Sequence, residues 1–359
     1  MKYLARVAAL AGLAIAVWLV WHVDAQKVLG LMRAAGAGLA LAGMVHVLPM
    51  LANARNWQML MRGPLRPNLF AVLRLVWIRE SVNGMLPVAR VGGEVVTFRM
   101  MRKWGMEPAP AMASLVVDLQ LTLISEMLFA IAAIGYLIAH AGATALHLAA
   151  RLGGGIAILA VLLLAFSFVQ RASPFARLTK LFNRITSGKF RSLVGESVRI
   201  DQSISDLWHQ PGVIVRYLLV WQSLQCIATA LELWLALYFL SAKASFLQAL
   251  VLQSLIQALS SVAFFVPGAL GVQEGGFLLI GTVLGFPPQL CLALAGARRF
   301  RDIIVFLPGL IAWQVEEWRD KRRAPANATA GGAAAEPVST GAALRRGSVA
   351  NHDARHWKA

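Results

Sequence analysis

Two short runs of proline, glycine and glutamate interrupt otherwise apolar sequence and hold residue types suited to binding a polar ligand. They are residues 86–94 (LPVARVGGE) and 266–276 (VPGALGVQEGG). In each run a proline, which cannot donate to a helix ladder, is followed by glycines that permit irregular backbone, and a glutamate lies seven positions after the proline. Because the flanks are apolar, this backbone is predicted to lie at membrane depth, where it is tolerated only if protein buries it or it lines a wet cavity. Both breaks are therefore candidate parts of a binding site.

Charged side chains also lie within or beside the apolar segments. At a lipid-facing helix centre each would cost roughly 2.5 to 3.5 kcal/mol, so we expect them to face inward, paired or wet. Arg79 and Arg90 are on the first broken segment, and a guanidinium can hold a phosphate through two hydrogen bonds. The full set is Arg74, Arg79, Glu80, Arg90, Glu94, Asp118, Glu126, Glu232, Glu274, Arg298, Arg299, Arg301 and Asp302.

Some of these residues have a second interpretation. Arg298 and Asp302 are spaced to form an ion pair on one helix face instead of a ligand site. Arg99 could bind a headgroup at the cytoplasmic mouth or act only as a topology anchor. Asp118 and Glu126 are predicted to share one helical face. Four histidines near the ends of spans are interpreted as interfacial residues: His22, His46, His140 and His147.

The composition predicts a polytopic helical membrane protein. The chain of 359 residues is 58% hydrophobic and only 14% charged, and its apolar residues come in runs of membrane-spanning length. The net charge of +17 is interpreted as an orientation signal and an attraction to anionic lipid. We expect no nucleic-acid binding, because no basic patch interleaved with aromatic residues lies outside the apolar segments. Cys226 and Cys291 lie inside apolar runs and are predicted to be core residues.

The fold is predicted to be all-α, with about six full spans and two re-entrant hairpins. We place the spans at about 7–23, 34–52, 109–139, 148–169, 213–240 and 289–313, and the hairpins at about 68–98 and 244–286. The first span is preferred as an uncleaved helix over a signal peptide, because it is longer than a usual signal core. Basic loops mark the cytoplasmic side, so both termini are predicted to be cytoplasmic, with the first hairpin opening inward and the second outward.

The two halves of the chain share one plan, a span, a broken hairpin and a span that carries polar residues. Because the hairpins are oppositely oriented, this plan predicts an inverted repeat whose breaks meet near the bilayer midplane and form a substrate site. Chance is the alternative, since proline and glycine are common in membrane helices.

Outside the spans the sequence predicts a basic loop and a tail. The cytoplasmic loop 170–211 is either an amphipathic helix lying on the lipid surface or a solvated basic linker. The transmembrane domain is predicted to end at residue 323. Residues 324–359 are rich in Ala, Gly, Pro and Ser, which predicts a disordered cytoplasmic tail.

Both signature runs resemble a known family. The runs Asn83-x-x-Leu86-Pro87-x-x-Arg90-Val91-Gly92-Gly93-Glu94-x-x-x-x-Arg99 and Pro267-Gly268-x-x-Gly271-Val272-x-Glu274-Gly275 are similar to those of the flippase-like integral membrane family, whose transmembrane domain is shared with bacterial lysylphosphatidylglycerol synthases. The resemblance covers roughly residues 1–320. Length and the absence of a fused domain most resemble the hopanoid-biosynthesis-associated membrane proteins. Val88 departs from the family, which often has glycine there.

This resemblance implies translocation of a polyprenoid, aminoacylated or glycosylated lipid across a bacterial inner membrane, and no enzymatic activity. We predict hinges at Pro87 and Pro267, proton-coupling candidates at Glu94 and Glu274, no cofactor and no metal. No GxxxxGK[ST] run is present, so we expect no ATP hydrolysis by this chain. The predicted substrate-binding residues are Arg79, Asn83, Arg90, Gly92, Gly93, Glu94, Arg99, Pro267, Gly268, Gly271, Glu274, Arg298 and Arg301.

Two other functions stay open. The chain could be a non-transporting partner of a lipid-biosynthesis complex, docked through its basic loop. It could also be a lipid-modifying enzyme that uses Asp118, Glu126 or the hairpin glutamates as acid and base. Against the enzyme stands the lack of a His, Asp or Glu cluster at metal or triad spacing. The predicted partners are a membrane lipid, anionic or polyprenoid, and lipid-biosynthesis enzymes, with no prediction of oligomeric state.

Overall fold

Helices form all the regular structure in the described part of the chain, which confirms the predicted all-α class. The computed structural model describes residues 25–61, 67–86, 92–140, 154, 191–263, 266 and 269–332, with backbone alone for 191–196 and 320–332. Its two compact units are Met1–Gly309 and Leu310–Ala359. The first unit holds every residue of the candidate site.

In chain order the helices are α1 (Ala25–Ala35), α2 (Ala37–Met44), α3 (Val47–Leu60), α4 (Leu69–Met85), α5 (Gly92–Lys103), α6 (Pro108–His140), α7 (Arg191–Trp208), α8 (Pro211–Arg216), a π-helix (Tyr217–Gln222), α9 (Ser223–Phe239), α10 (Phe246–Val262), α11 (Val272–Val283) and α12 (Pro288–Gly332). The second unit contains the last part of α12. That helix continues past Arg323, where the sequence predicts the membrane domain to end. The domain boundary stays a prediction.

Three helical segments among the described residues are long and apolar enough to cross a membrane. They are Ala37–Leu60, Pro108–His140 and Pro211–Phe239, which agree with the spans predicted at 34–52, 109–139 and 213–240. The predicted spans 7–23 and 148–169 lie outside the described residues, apart from Gly154. The polytopic membrane class is therefore confirmed, whereas the number of about six spans stays a prediction.

The first predicted hairpin is a pair of packed helices, α4 and α5. Asn68 caps the start of α4, and its side chain accepts a hydrogen bond of 2.8 Å from the backbone N–H of Ala71. The helix ends at Met85, and the next residue, Leu86, is extended (φ −98°, ψ 146°), as expected for a residue before proline. Residues 87–91, including the predicted hinge Pro87 and Arg90, lie outside the described residues. The orientation of this pair in the membrane stays a prediction.

The second predicted hairpin is the packed pair α10 and α11. Ser245 and Gln248 form a capping box at the start of α10. Before α11 the chain turns through Ala269 and Gly271, both with positive φ (49° and 76°). Glycine adopts that conformation without a steric penalty, which explains its place at the turn. The predicted hinge Pro267 and its neighbour Gly268 lie outside the described residues.

A continuous apolar core holds the span helices together on one side of the site. Leu137 of α6, Leu237 of α9, Leu252 of α10, Phe277 of α11 and Leu294 of α12 all belong to it. Within the basic loop predicted at 170–211, residues 191–208 form α7, which packs against α6 and buries Ile204 and Leu207. This part of the loop is therefore helical and not a solvated linker, whereas its position relative to the lipid surface stays a prediction. Residues 170–190 lie outside the described residues.

Gly93 allows α5 to approach α4 at the first break. A Cβ atom at this position would lie 2.5 Å from the carbonyl oxygen of Arg79 and 2.8 Å from the side chain of Asn83. Gly275 of the second run, by contrast, has no packing neighbour within 4 Å of the place where a Cβ atom would lie. Gly276 of the second run is also closely packed, since a Cβ atom there would lie 2.6 Å from Leu259 Cδ2. Gly275 is therefore the glycine of that run that leaves room for a side chain.

We expect Gly93→Ala to lower the free energy of unfolding by about 1 to 3 kcal/mol, because backbone must shift to admit the methyl group. The matched control, Gly275→Ala, should be neutral or stabilise by about 0.5 to 1 kcal/mol, as alanine does in a helix interior. Thermal unfolding of the purified protein in detergent measures both. Equal melting temperatures for the two variants would contradict the packing at Gly93.

Candidate functional site

A polar cavity of about 300 Å³ lies inside the first unit. Residues of α3, α4, α5, α6, α9, α10, α11 and α12 line it, together with the π-helix. Both breaks contribute, the first through Asn83 and Glu94 and the second through Gln273. The titratable residues of the lining are His46, Arg79, Glu80, Glu94, Asp118, Glu126, Cys226, Arg298, Arg299, Arg301 and Asp302.

Arg79 and Asp118 form the first buried ion pair of this cavity. Arg79 Nη1 lies 2.7 Å from Asp118 Oδ2, and the guanidinium stacks over the ring of Trp57 at 4.5 Å. The hydroxyl of Tyr217 donates a hydrogen bond of 2.8 Å to Asp118 Oδ1. Both carboxylate oxygens therefore have a donor, as a buried charge requires.

The π-helix explains how Tyr217 reaches Asp118. Tyr217 and Gln222 stand at its two ends, five residues apart, and a π-turn places such residues on one face. Gln222 Nε2 donates to Thr122 Oγ1 at 3.0 Å and to the Tyr217 hydroxyl at 3.3 Å. This local change of helix type therefore presents two polar side chains to α6 within an apolar span.

Helix α12 supplies the second group of ion pairs. Arg301 lies 3.2 Å from Glu232 Oε1 and 2.8 Å from Asp302 Oδ1. Arg299 lies 2.8 Å from Glu274 Oε1 and 3.6 Å from Asp302 Oδ2. The ion pair between Arg298 and Asp302 that the spacing suggested is wrong, because Asp302 turns to these two arginines.

His46 joins the two groups. Its Nδ1 lies 2.6 Å from Glu232 Oε2, and its Nε2 lies 3.4 Å from Glu80 Oε2. Asn53 donates to Glu80 at 3.2 Å and accepts from Arg79 at 3.3 Å, which completes the connection. The interfacial interpretation of His46 is wrong, since the residue is only 8% exposed.

The two break glutamates have different surroundings. Glu94 lines the cavity and accepts two hydrogen bonds of 3.2 Å from the amide of Asn83, whose oxygen accepts from the Gly93 N–H at 2.8 Å. Glu274 is buried outside the lining and accepts from the Gly271 N–H at 2.7 Å and from Arg299 Nε at 2.8 Å. Glu274 therefore fixes the second break to α12, while Glu94 faces the space a ligand could occupy.

The structure brings together part of the predicted substrate-binding set. Cavity-lining members are Arg79, Asn83, Glu94, Arg298 and Arg301. Outside the lining are Gly92, Gly93, Arg99, Gly271 and Glu274, of which Arg99 is exposed on α5. Outside the described residues are Arg90, Pro267 and Gly268.

Arg298 differs from the other three cavity arginines. It donates to Gln253 Oε1 at 2.9 Å, and no carboxylate of the described residues lies within 4.0 Å of it, whereas Arg79, Arg299 and Arg301 each have at least one. Its charge is therefore the least compensated of the four, and an anion can approach it without displacing an internal partner.

Amides and hydroxyls line another part of the cavity. On α6 and α10, Glu126 accepts from Gln257 at 2.8 Å and from Ser261 at 2.5 Å. Further polar lining residues without charge are Thr122, Ser125, Gln222, Gln225, Thr229, Gln253 and Ser254. Such groups can donate to or accept from a polar headgroup. Sequence reasoning from charges and breaks alone missed them. Glutamine inside an apolar run was the available signal, because its amide also carries a burial cost, although a smaller one than a charge.

The fold and this cavity define a polytopic helical membrane protein with a charged, hydrogen-bonded interior site. A family model described as the lysylphosphatidylglycerol synthase TM region matches residues 6–309, and the chain belongs to this family. The protein is therefore a membrane protein related to lipid handling, and its family implies interaction with membrane lipids. No curated protein and no solved structure matches the chain.

We expect Asp118→Asn to lower the free energy of unfolding by about 3 to 5 kcal/mol, because it leaves the Arg79 guanidinium buried without a countercharge. Asp206→Asn is the matched control, since Asp206 is exposed on α7 and should change stability by less than about 0.5 kcal/mol. Chemical or thermal unfolding in detergent measures the difference. An Asp118→Asn protein as stable as the control would contradict the buried ion pair.

Proposed function

We propose that this protein translocates a lipid with an anionic or polar headgroup across the bacterial inner membrane. The observation that carries the proposal is a charged cavity lined by apolar helices, with one arginine, Arg298, that has no carboxylate of the described residues within 4.0 Å. An amphiphilic ligand needs a charged environment for its headgroup and an apolar environment for its chains at the same time. A link to hopanoid metabolism is part of this proposal, as the subfamily resemblance implies.

The headgroup would bind in the cavity while its chains stay in the bilayer. Arg298 offers charge-assisted hydrogen bonds to a phosphate or carboxylate. The amides of Gln225 and Gln257 lie on the same lining and suit hydroxyl or amine groups. Leu119 of α6 lines the cavity and is also 47% exposed, which supports a lateral opening toward lipid chains.

The two helix breaks support movement and not only binding. Asn83 and Glu94 of one break and Gln273 of the other line the same cavity. In an inverted repeat such a site can be exposed first to one side and then to the other as one half rocks against its counterpart. Cytoplasmic termini and a first hairpin that opens inward complete the proposed orientation. The proposal assigns no catalytic step to the chain.

A vesicle assay tests translocation directly. The full chain is reconstituted in phosphatidylcholine vesicles with a trace of headgroup-labelled lipid, and a membrane-impermeant quencher reports the outer-leaflet fraction over time. Phosphatidylglycerol, an aminoacylated phosphatidylglycerol, a polyprenyl phosphate and a hopanoid polyol are compared. We expect the protein to accelerate exchange of at least one lipid over protein-free vesicles. Acceleration of none would falsify the proposal.

Arg298→Gln tests the headgroup site. We expect it to weaken binding of an anionic lipid roughly tenfold or more, because a hydrogen bond to a charged group contributes about 1.5 to 3 kcal/mol. Arg216→Gln is the control, since it removes the same charge from an exposed position on α8 outside the cavity. Native mass spectrometry of bound phosphatidylglycerol compares the variants. Equal lipid retention by both would place the headgroup elsewhere.

A further inference from the structure

We propose that His46 is the proton-binding residue of this transporter, and that a proton bound there strengthens binding of an anionic headgroup in the cavity. The proposal rests on the proposed function and adds proton-coupled movement to it. It starts from the contacts of one imidazole ring with two carboxylates and one guanidinium.

The Nδ1 atom of His46 has two partners that demand opposite protonation states. It lies 2.6 Å from Glu232 Oε2, which can only accept, and 2.5 Å from Arg301 Nη1, which can only donate. A neutral ring with a free lone pair on Nδ1 satisfies Arg301. A ring protonated on Nδ1 satisfies Glu232. The site therefore holds a hydrogen-bond partner for each state of the nitrogen.

The other ring nitrogen repeats this arrangement. Nε2 lies 3.4 Å from Glu80 Oε2 and 3.2 Å from Arg301 Nη1. The doubly protonated ring can thus donate to one carboxylate on each side, Glu80 of α4 and Glu232 of α9. When it does so, Arg301 loses its acceptors on the ring and keeps Glu232 and Asp302. Protonation of His46 therefore changes the hydrogen-bond partners of Arg301, and Arg301 itself lines the cavity.

The two carboxylates that contact the ring, Glu80 and Glu232, favour a proton on it, whereas the Arg301 guanidinium opposes one. With the nearby Arg298 included, three arginines of α12 stand against four carboxylates from α4, α9, α11 and α12, so these groups together carry an excess negative charge while the ring is neutral. The Phe306 ring meets the imidazole edge-on at 5.6 Å, and Asn53 links Glu80 to Arg79. The cluster members are Arg298, Arg299 and Arg301 with Glu80, Glu232, Glu274 and Asp302.

This excess charge couples the proton to the ligand. An anion beside Arg298 is repelled by the uncompensated carboxylates, and a proton on His46 removes that repulsion in a site of low dielectric. Because coupling between two sites is reciprocal, the anion also tightens proton binding, by the same factor of about 5 to 150 that is typical of such coupling.

A transport cycle follows without further components. His46 and Glu80 line the cavity, so a proton reaches the ring from the same side as the headgroup. One proton binds with one anionic lipid, both face the opposite side after the two halves rock, and both leave there. The proton is returned to water and no bond in the lipid changes.

The test is the pH dependence of lipid exchange in the vesicle assay, with labelled phosphatidylglycerol in phosphatidylcholine vesicles. We expect the wild-type rate to fall at least about fivefold between about pH 5.5 and about pH 8, on either side of the usual histidine pKa of about 6.5. An imposed proton gradient should drive net movement toward the alkaline side. In weakly buffered detergent solution, addition of the lipid should cause proton uptake by the protein.

His46→Gln should abolish proton uptake and flatten the pH profile, since glutamine can accept from Arg301 and donate to Glu232 but binds no proton at neutral pH. The control is His140→Gln, because His140 lies exposed at the end of α6 outside the cavity and its ring contacts Tyr136 in its own helix. It should keep the wild-type profile. A His46→Gln protein that retains the wild-type pH dependence overturns the inference.

A second variant keeps the test decisive if His46→Gln fails to fold. Glu80→Gln removes the carboxylate that faces Nε2, so the midpoint of the pH profile should move to lower pH. An unmoved midpoint, or loss of pH dependence in Glu94→Gln instead, overturns the inference in favour of the cavity glutamate. Wild-type exchange that is rapid but independent of pH overturns the inference and leaves the proposed function intact. No exchange of any lipid at any pH overturns both.

Discussion

The cost of placing charge among apolar helices is the constraint on which this structure depends. Each buried ion must find a countercharge and hydrogen bonds, and its removal from water costs several kcal/mol even in a relaxed protein. The chain meets this requirement with a network of ion pairs and hydrogen bonds, in which one residue often contacts two partners. Contacts run without interruption through Glu274, Arg299, Asp302, Arg301, Glu232, His46, Glu80, Asn53, Arg79, Asp118 and Tyr217. The network thereby fixes α3, α4, α6, α9, α11 and α12 relative to one another.

The helix breaks follow from the same requirement applied to the backbone. A helix that begins inside an apolar region leaves its first N–H groups without a helical partner, and lipid cannot supply one. Asn83 and Glu274 supply it instead, through bonds to Gly93 and to Gly271. Each capping residue also holds a charged neighbour, Glu94 at the first break and Arg299 at the second. At both breaks, the same side chain therefore caps the helix and binds a charged neighbour.

Sequence reasoning could predict the class, several helix boundaries and the inward position of the charges, because burial cost and turn chemistry are local properties of residue types. Asp118 and Glu126 line one cavity because their spacing on α6 dictates a common face. Partner choice could not be predicted in the same way. Asp302 pairs with Arg301 and Arg299, and His46 contacts Glu232 far along the chain, because tertiary packing decides which side chains meet. The π-helix that aims Tyr217 at Asp118 also has no signal in the composition.

A network of nearly balanced charge is suited to exchange of partners in a way that the apolar core is not. Core residues such as Leu237 and Phe277 gain their stability from close packing, which is lost if the surfaces separate. In the network, by contrast, Arg301 has acceptors on His46, Glu232 and Asp302, so one contact can weaken while others remain. A ligand anion at Arg298 adds a further acceptor beside this set. Under the proposed transport, alternative pairings of similar energy would supply the two states that alternating access requires.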